Sequence, residues 1–357
     1  MYLNKLKIHN FRNISSCDLT PDPKLNLILG DNGSGKTSFI EAIYFLSLGR
    51  SFRSSKINHV LSHEQKDFQI YAETLNNKDK TILGMQKSRN GDSIVKLNFE
   101  VQKKQSPLTL SLPIQLLNPE GFMLLDAGAQ ARCKVLDWGA FYNNSHFSKI
   151  WAETKRLLKQ RNAALKQGYN KKTIQIWDTE LIHKAEMLDT FRKSYIEALI
   201  PILQKIINSF LERHIIEIEY YRGWSNQSAL ADILDKNFDY DKRTGMTNYG
   251  PHRADIKVKA NGIIGQDVLS RGQQKLFVCA LKLAQGILFN QINHTPCIYL
   301  IDDLPSELDD KHLALFLDQL LKQDSQIFLT SIYSIQNHIN EECNRLKISD
   351  GIISKVN

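Results

Sequence analysis

Paired cysteines are missing from this chain of 357 residues. Its five cysteines, Cys17, Cys133, Cys279, Cys297 and Cys343, are scattered, with no Cys-x-x-Cys and no Cys/His cluster. That pattern argues against a structural zinc site and a disulfide framework. It reads instead as reduced thiols of a cytoplasmic protein. No run reaches the roughly 18 apolar residues of a membrane-spanning helix, so no membrane association is expected. The opening, Met1 to Ile8, lacks the apolar core of a signal peptide. Repeats and low-complexity tracts are absent too. Acid does not dominate: Lys and Arg number 46 against 38 Asp and Glu, a net charge of +8. A basic surplus of this size permits a polyanionic partner.

What is present begins with an apolar run, Leu25 to Leu29, that stops at Gly30. The loop Gly30-Asp31-Asn32-Gly33-Ser34-Gly35-Lys36-Thr37 follows and fits G-x-x-x-x-G-K-[ST], the phosphate-binding P-loop. Its glycines let backbone N–H groups curl around phosphate oxygens. Lys36 reaches the β- and γ-phosphates, and the Thr37 hydroxyl ligands Mg²⁺. Ser38 continues the loop into a helix over residues 37–48, whose N-terminus faces the anion. ATP and Mg²⁺ are thus the expected cofactors.

Near the other end, Ile298-Tyr299-Leu300-Ile301-Asp302-Asp303 is an apolar strand ending in two acids. Its buried strand aims Asp302 at Mg²⁺, and Asp303 orients or deprotonates the attacking water. Upstream, Leu269-Ser270-Arg271-Gly272-Gln273-Gln274 opens a helix. A Ser hydroxyl and a Gly N–H at a helix N-terminus form a second anion site, and Ser270 also suits a helix N-cap.

Between these motifs the pattern changes twice. Segments 68–72, 81–85 and 93–97 read as strands of an antiparallel β-meander, separated by Asn/Asp/Gly turns. Residues 129–235 hold a single proline, Pro201, and helical periodicity. Over 148–167, Ile150, Thr154, Leu157, Leu158 and Leu165 share one face, opposite Lys155, Arg156, Lys159 and Lys166. Pro201 either kinks a helix or starts the next. Strands are expected again at 255–259, 297–301 and 326–330, with a helix over 276–289.

The hexamer from Leu269 resembles the signature of ABC-type ATPases, with Arg271 at the variable position. The tetrapeptide Ser306-Glu307-Leu308-Asp309 lies where that family has its D-loop. Gln115 lies where it has a glutamine that senses Mg²⁺ and water. The opening Leu6-Lys7-Ile8-His9-Asn10-Phe11-Arg12-Asn13 is similar to the start of the SMC/Rad50 branch. No long heptad array is present, and the match is closest to the RecF family of that branch. It is carried further by Leu48-Gly49-Arg50-Ser51-Phe52-Arg53, Asn118-Pro119-Glu120-Gly121-Phe122, Leu136-Asp137-Trp138, Leu157 to Asn162 and Gly250-Pro251-His252-Arg253.

The resemblance implies an α/β P-loop ABC-type ATPase head, a mixed sheet with an antiparallel meander, plus an inserted α-helical lobe. The head takes residues 1–122 and 245–357, and the lobe 123–244. Nucleotide contacts fall to residues 30–38, Arg12, Ser270, Arg271, Gly272, Gln273 and Asp309. Asp303, Lys36 and Gln115 are the catalytic residues, and Thr37, Asp302 and Gln115 the metal-side ones. Two copies sandwich ATP into a homodimer that clamps duplex and gapped or single-stranded DNA, with slow hydrolysis reopening it. RecR and RecO are partners in loading RecA. The DNA contacts expected are Lys155, Arg156, Lys159 and Lys166, with Arg50, Arg53 and Lys56 as a second basic group.

Departures from the family are visible. Cys133 stands where a second arginine is usual, and Thr330-Ser331-Ile332 where transporters have a histidine. Asp303 replaces their glutamate and is one methylene shorter, which suits a slow switch. Two other readings compete: the ATPase subunit of a membrane transporter, and a P-loop kinase or GTPase. The inserted lobe opposes the first, and the lack of an N-K-x-D motif opposes the second.

Overall fold

The fold is described from a computed structural model covering residues 1–332 and 343–356. The chain folds into two compact units, Met1–Phe122 with Lys275–Asn357, and Met123–Gln274.

Two six-stranded sheets build the first unit. One is antiparallel, in the order Ile14–Leu19, Tyr2–Phe11, Asp67–Asn76, Asp79–Ser88, Ser93–Leu97, Glu100–Val101. The last four strands are the meander, and their turns fall at the Asn-rich and Asn-Gly segments. The other sheet runs Ile352–Val356, Asn344–Ser349, Leu25–Leu29, Ile327–Ser331, Ile298–Ile301, Ile114–Leu117. All its pairs are parallel except the first. Every residue of Ile298–Ile301 is buried, which is why that strand is a continuous apolar run.

Helix Lys36–Leu48 shares one core with both sheets, contributing Phe39, Ile40, Ile43 and Leu46. Phe11, Phe45 and Phe68 meet edge to face, with ring centroids 5.2–5.8 Å apart. Within this unit Gly286 lies so close to the Tyr299 hydroxyl that a Cβ would collide with it. Gly286 belongs to helix Arg271–Asn293, which is long and apolar enough to cross a membrane by composition. Its most apolar window is 67% buried inside the protein, as expected of a core helix.

The second unit contains helices Ala129–Asn143, Phe147–Lys166, Lys171–Phe210, Leu230–Lys236 and Phe238–Thr244. The five apolar positions of Phe147–Lys166 are all buried. Pro201 lies inside the 40-residue helix Lys171–Phe210. The unit is not purely helical. Ile216–Tyr221 is a strand that pairs antiparallel with Asp255–Ala260, and Ile263–Ile264 completes a three-stranded sheet. The strand at 255–260 therefore belongs to this unit, and the boundary falls at 274/275 rather than 244/245. The helical reading of the inserted segment missed this sheet because alternation in His214 to Tyr221 is short and its acids face outward.

Three arginines pair with acids inside the unit, Arg161 and Arg192 buried and Arg132 half-buried. Arg161 is fully buried, donating from Nε to Asp178 at 2.5 Å and from a terminal nitrogen to Asp241 at 2.7 Å. It therefore does not join Lys155, Arg156, Lys159 and Lys166 on the solvent-facing side of the helix. Arg132 forms a two-pronged pair with Asp255 at 2.8 and 3.0 Å. Arg192 pairs with Asp137 at 2.8 Å and donates to the Pro251 carbonyl at 2.7 Å. Cys133 is buried, with Arg192 and Asp137 acting on it electrostatically; burial pushes its thiol up to about 11.

Gly139 faces the Tyr195 ring closely enough that any Cβ would overlap it. Glycine to alanine within a helix normally stabilises by about 0.5–1 kcal/mol. Overpacking here costs about 1–3 kcal/mol, so Gly139→Ala is expected to lower stability. Urea unfolding checks this; a gain in stability would show that the Tyr195 ring yields freely.

Candidate nucleotide site

The parallel sheet brings the two ends of the chain together. Leu25–Leu29 pairs with Ile327–Ser331, which pairs with Ile298–Ile301. The loops after Leu29 and after Ile301 therefore leave from the same carboxyl edge. That edge is where doubly wound α/β proteins bind ligands.

The phosphate loop has the backbone that its glycines permit. Gly33 and Gly35 have φ of 82° and 119°, where other residues are strained. A Cβ on Gly30 would strike the Ile348 carbonyl and the Ser34 hydroxyl. The space above Gly33 is open. Gly35 caps helix Lys36–Leu48 with no side-chain hydrogen bond and no acid in the first turn. Buried Ser34 Oγ has no partner among the described residues. Lys36 Nζ donates to the carbonyls of Gly30 at 2.7 Å and Asp31 at 2.9 Å. Free helix N–H groups, a flexible cation and an orphan hydroxyl fit a polyphosphate.

Thr37 Oγ1 donates to Asp302 Oδ1 at 3.1 Å, joining residues from opposite ends of the chain. Thr330 Oγ1 donates to the same oxygen at 2.9 Å and accepts from the Asp303 N–H at 2.9 Å. Two converging hard oxygens fit Mg²⁺. Burial and the neighbouring Asp303 push the Asp302 carboxyl up, while the Thr330 and Thr37 hydroxyls and Arg53 oppose the shift. Asp303 has a left-handed backbone, φ 53°, and its carboxylate accepts from Ser306 Oγ at 2.8 Å. Left-handed backbone at a non-glycine residue is strained, and such strain clusters at functional sites. Thr330 was visible in the sequence only as a departure at the transporter histidine's place. Its bridging of both acids needed the strand register.

Gln115 is misplaced by the sequence reading. It pairs with Tyr299 in the ladder, three residues before Asp302 and so about 10 Å below the carboxyl edge. It is fully buried, and its Oε1 accepts from Lys282 Nζ at 3.1 Å. The polar residue level with Asp302 is Asn118: Leu117 pairs with Ile301, and the Asp302 N–H donates to the Leu117 carbonyl. Asn118 lies in the segment the sequence had marked, three positions on.

Arg12 is committed to Glu41, a fully buried acid on the helix after the loop, at 2.7 and 2.8 Å, and also reaches the His59 carbonyl. Arg53 is 3.8 Å from the same acid and acts on Asp302, so it lies beside the candidate nucleotide site. Arg50 bonds Tyr44, and Lys56 is exposed. Asp309 caps helix Asp310–Leu321, accepting from the His312 N–H at 3.0 Å and pairing with its ring at 2.6 Å.

In the second unit, Ser270 and Gln273 form a reciprocal capping box. The Ser270 N–H donates to Gln273 Oε1 at 2.9 Å, and the Gln273 N–H to Ser270 Oγ at 3.3 Å. Ser270 and Gly272 are exposed, with open space where a Gly272 Cβ would stand. Arg271 pairs with Asp126. Lys155, Arg156, Lys159 and Lys166 lie on the exposed face of Phe147–Lys166, and Lys155 covers the Trp151 ring at 4.3 Å.

Comparison with known proteins shows the family and the fold. Residues 2–354 match the family described as the RecF/RecN/SMC N terminal domain. The DNA replication and repair protein RecF of Francisella tularensis subsp. tularensis is 46% identical over 341 residues, covering 96% of this chain and 97% of the relative. The protein of the same name from Francisella tularensis subsp. novicida is also 46% identical over the same spans. A solved structure of the recombination mediator protein RecF-ATPrS in the RecFOR pathway superposes with a TM-score of 0.90 at 26% identity. It covers 100% of this chain and 98% of that one. An Smc head bound to the C-winged helix domain of ScpA, 15% identical over 100% of this chain and 97% of that one, shares the fold at a TM-score of 0.63. Fold and site define an SMC-type ABC ATPase head. Within that class, the chain belongs to the RecF family.

Burial holds the Lys282 ammonium down at about 8. In the unfolded chain it titrates near 10.4, so the unfolded state binds the extra proton between those values. Stability conferred on the wild type relative to Lys282→Met is therefore expected to rise from pH 8 to about 10. Urea midpoints of both proteins across that range check it, and a pH-independent difference overturns it.

Proposed function

We propose that the protein is an ATP-dependent DNA-binding switch of recombinational repair and replication. The observation that carries this is the exposed capping box at Ser270, open above Gly272, in a chain that also holds a P-loop and Asp302. One copy offers phosphate-loop residues and an outward-facing second anion site; two copies complete each other's sites. Bound ATP and Mg²⁺ supply the phosphate charge shared by both copies and the bond to be hydrolysed.

Lys36 exchanges its loop carbonyls for phosphate oxygens. Thr37 and Asp302 hold the metal side, with Thr330 orienting Asp302. Asp303 positions water; its short side chain, engaged by Ser306, favours slow turnover. Ser270 and Gly272 of the second copy close on the nucleotide, with Arg271 and Gln273 beside them. By linkage, ATP tightens the dimer and the dimer tightens ATP. The closed pair holds DNA mainly through phosphates, with Lys155, Arg156, Lys159 and Lys166 as contacts. Relatives are named for DNA replication and repair and as a recombination mediator of the RecFOR pathway, which supports DNA, RecR and RecO as partners. Gapped DNA as the site of action, loading of RecA and action in the cytoplasm complete the proposal.

Lys36→Met is expected to abolish ATP-dependent dimerisation. Ser270→Arg is expected to bind ATP and stay monomeric. Sedimentation with and without ATP checks both, and normal dimerisation of Ser270→Arg defeats the composite site. Asp303→Asn is expected to dimerise while hydrolysing ATP about a hundredfold more slowly, the lower end of the usual range for loss of a positioned acid or base. Unchanged turnover removes Asp303 from that role.

A further inference from the structure

A surface cleft of about 510 Å³ opens in the second unit, lined among others by Tyr221, Tyr240, Tyr249, Arg253 and Lys257. Its volume lies in the range of small-ligand sites and has room for one nucleotide. Gly223 contributes to its wall, and the Gly250 N–H donates to the Gly223 carbonyl at 3.1 Å. A Cβ on Gly223 would overlap the Gly250 carbonyl. Two backbones in contact thus keep that part of the cleft clear of side chains.

Its aromatic rings differ in how they are engaged. Lys257 Nζ lies 5.0 Å from the Tyr221 ring centroid, and Arg243 5.2 Å from that of Tyr240. Each of those rings already has a cation near its centre. Tyr249 is 37% exposed and has no ring or cation over it among the described residues. Its hydroxyl lies near enough to Tyr221 to raise that phenol's pKa, after burial. The one acid in the lining, Asp255, is neutralised by the two-pronged pair with Arg132. Arg253 is exposed with no carboxylate partner among the described residues, so the cleft carries net positive charge.

We propose that this cleft binds an unpaired nucleotide of single-stranded DNA, its base stacked on Tyr249 and its phosphate on Arg253 and Lys257. Aromatic faces beside cations are how proteins hold single strands without reading sequence. A base within a duplex is stacked on both sides and cannot offer its face. The cleft therefore distinguishes a gap from the duplex beside it, while the ridge from Lys155 to Lys166 meets backbone phosphates of either. This rests on the DNA-binding reading above, which supplies the duplex contacts but not the means of sensing an unpaired base.

The test uses the full chain with ATP and measures binding of a thymidine 15-mer, the matching duplex and a 15-mer carrying 2-aminopurine. Tyr249→Ala is expected to weaken single-strand binding about tenfold, the effect of losing one stacked base, and to abolish 2-aminopurine quenching. Duplex binding stays as in wild type, and Tyr249→Phe, which keeps the ring, behaves as wild type in every assay. Arg253→Glu weakens single-strand binding without altering the fold, since the residue is exposed. Reversing Lys155, Lys159 and Lys166 together weakens the duplex as well. Single-strand binding and quenching by Tyr249→Ala equal to wild type would overturn the proposal. Competition by thymidine monophosphate at oligonucleotide concentrations would overturn the assignment to a strand in favour of a free nucleotide. A wild type that binds neither DNA defeats the DNA-binding reading itself, a result distinct from failure of the cleft.

Discussion

Everything at the candidate nucleotide site depends on parallel strand pairing between the two ends of the chain. Leu25–Leu29 lies beside Ile327–Ser331, and Ile327–Ser331 beside Ile298–Ile301. Parallel neighbours finish at the same edge, so a loop at residue 30 and acids at 302 and 303 leave the sheet side by side. The hydroxyl of Thr37 then reaches Asp302 across 265 positions of sequence. Loop-closure entropy for so long a connection grows only logarithmically, so a large insertion between the halves costs little extra. That is how a second unit fits into the middle of the chain without disturbing the first.

The same ladder explains why polar residues beside one another in sequence have different environments. Along Ile114–Leu117, Gln115 is level with Tyr299, deep in the sheet, and its partner is Lys282. Asn118, three residues on, is level with Asp302. Depth along a parallel strand advances by about 3.3 Å per residue, so three positions separate the interior from the edge. Thr330 is the converse case: an unremarkable threonine whose register puts its hydroxyl between both acids.

In the second unit, charge is divided between interior and surface. Arg161, Arg132 and Arg192 are spent on Asp178, Asp241, Asp255 and Asp137. Removing one partner of a fully buried pair, as at Arg161 and Asp241, would strand a charge in the interior and cost about 3–5 kcal/mol. Neighbours on the outer face of Phe147–Lys166 remain in solvent. Arg161 shares a linear window with Lys159 but not a role, and helical phase decides which.

The P-loop, the apolar strand ending in Asp302-Asp303 and the helix-opening hexamer with Ser270 as N-cap were legible in the sequence, because each is a local pattern; the return bond from Gln273 to Ser270 was not. Glycines in a phosphate loop, a continuous apolar run and a serine at a helix start work through neighbours a few residues away. The meander and the face of Phe147–Lys166 were legible for the same reason. Only the tertiary structure decided what depends on register and on distant partners. It removed Gln115 from the site and raised Thr330 and Asn118. It tied Arg12 to Glu41, and gave the 255–260 strand to the second unit through Ile216–Tyr221. It also gathered Tyr221, Tyr249 and Arg253 around one cleft. Periodicity tells which way a side chain faces, but strand level and cross-chain pairing are set by contacts that no local pattern contains.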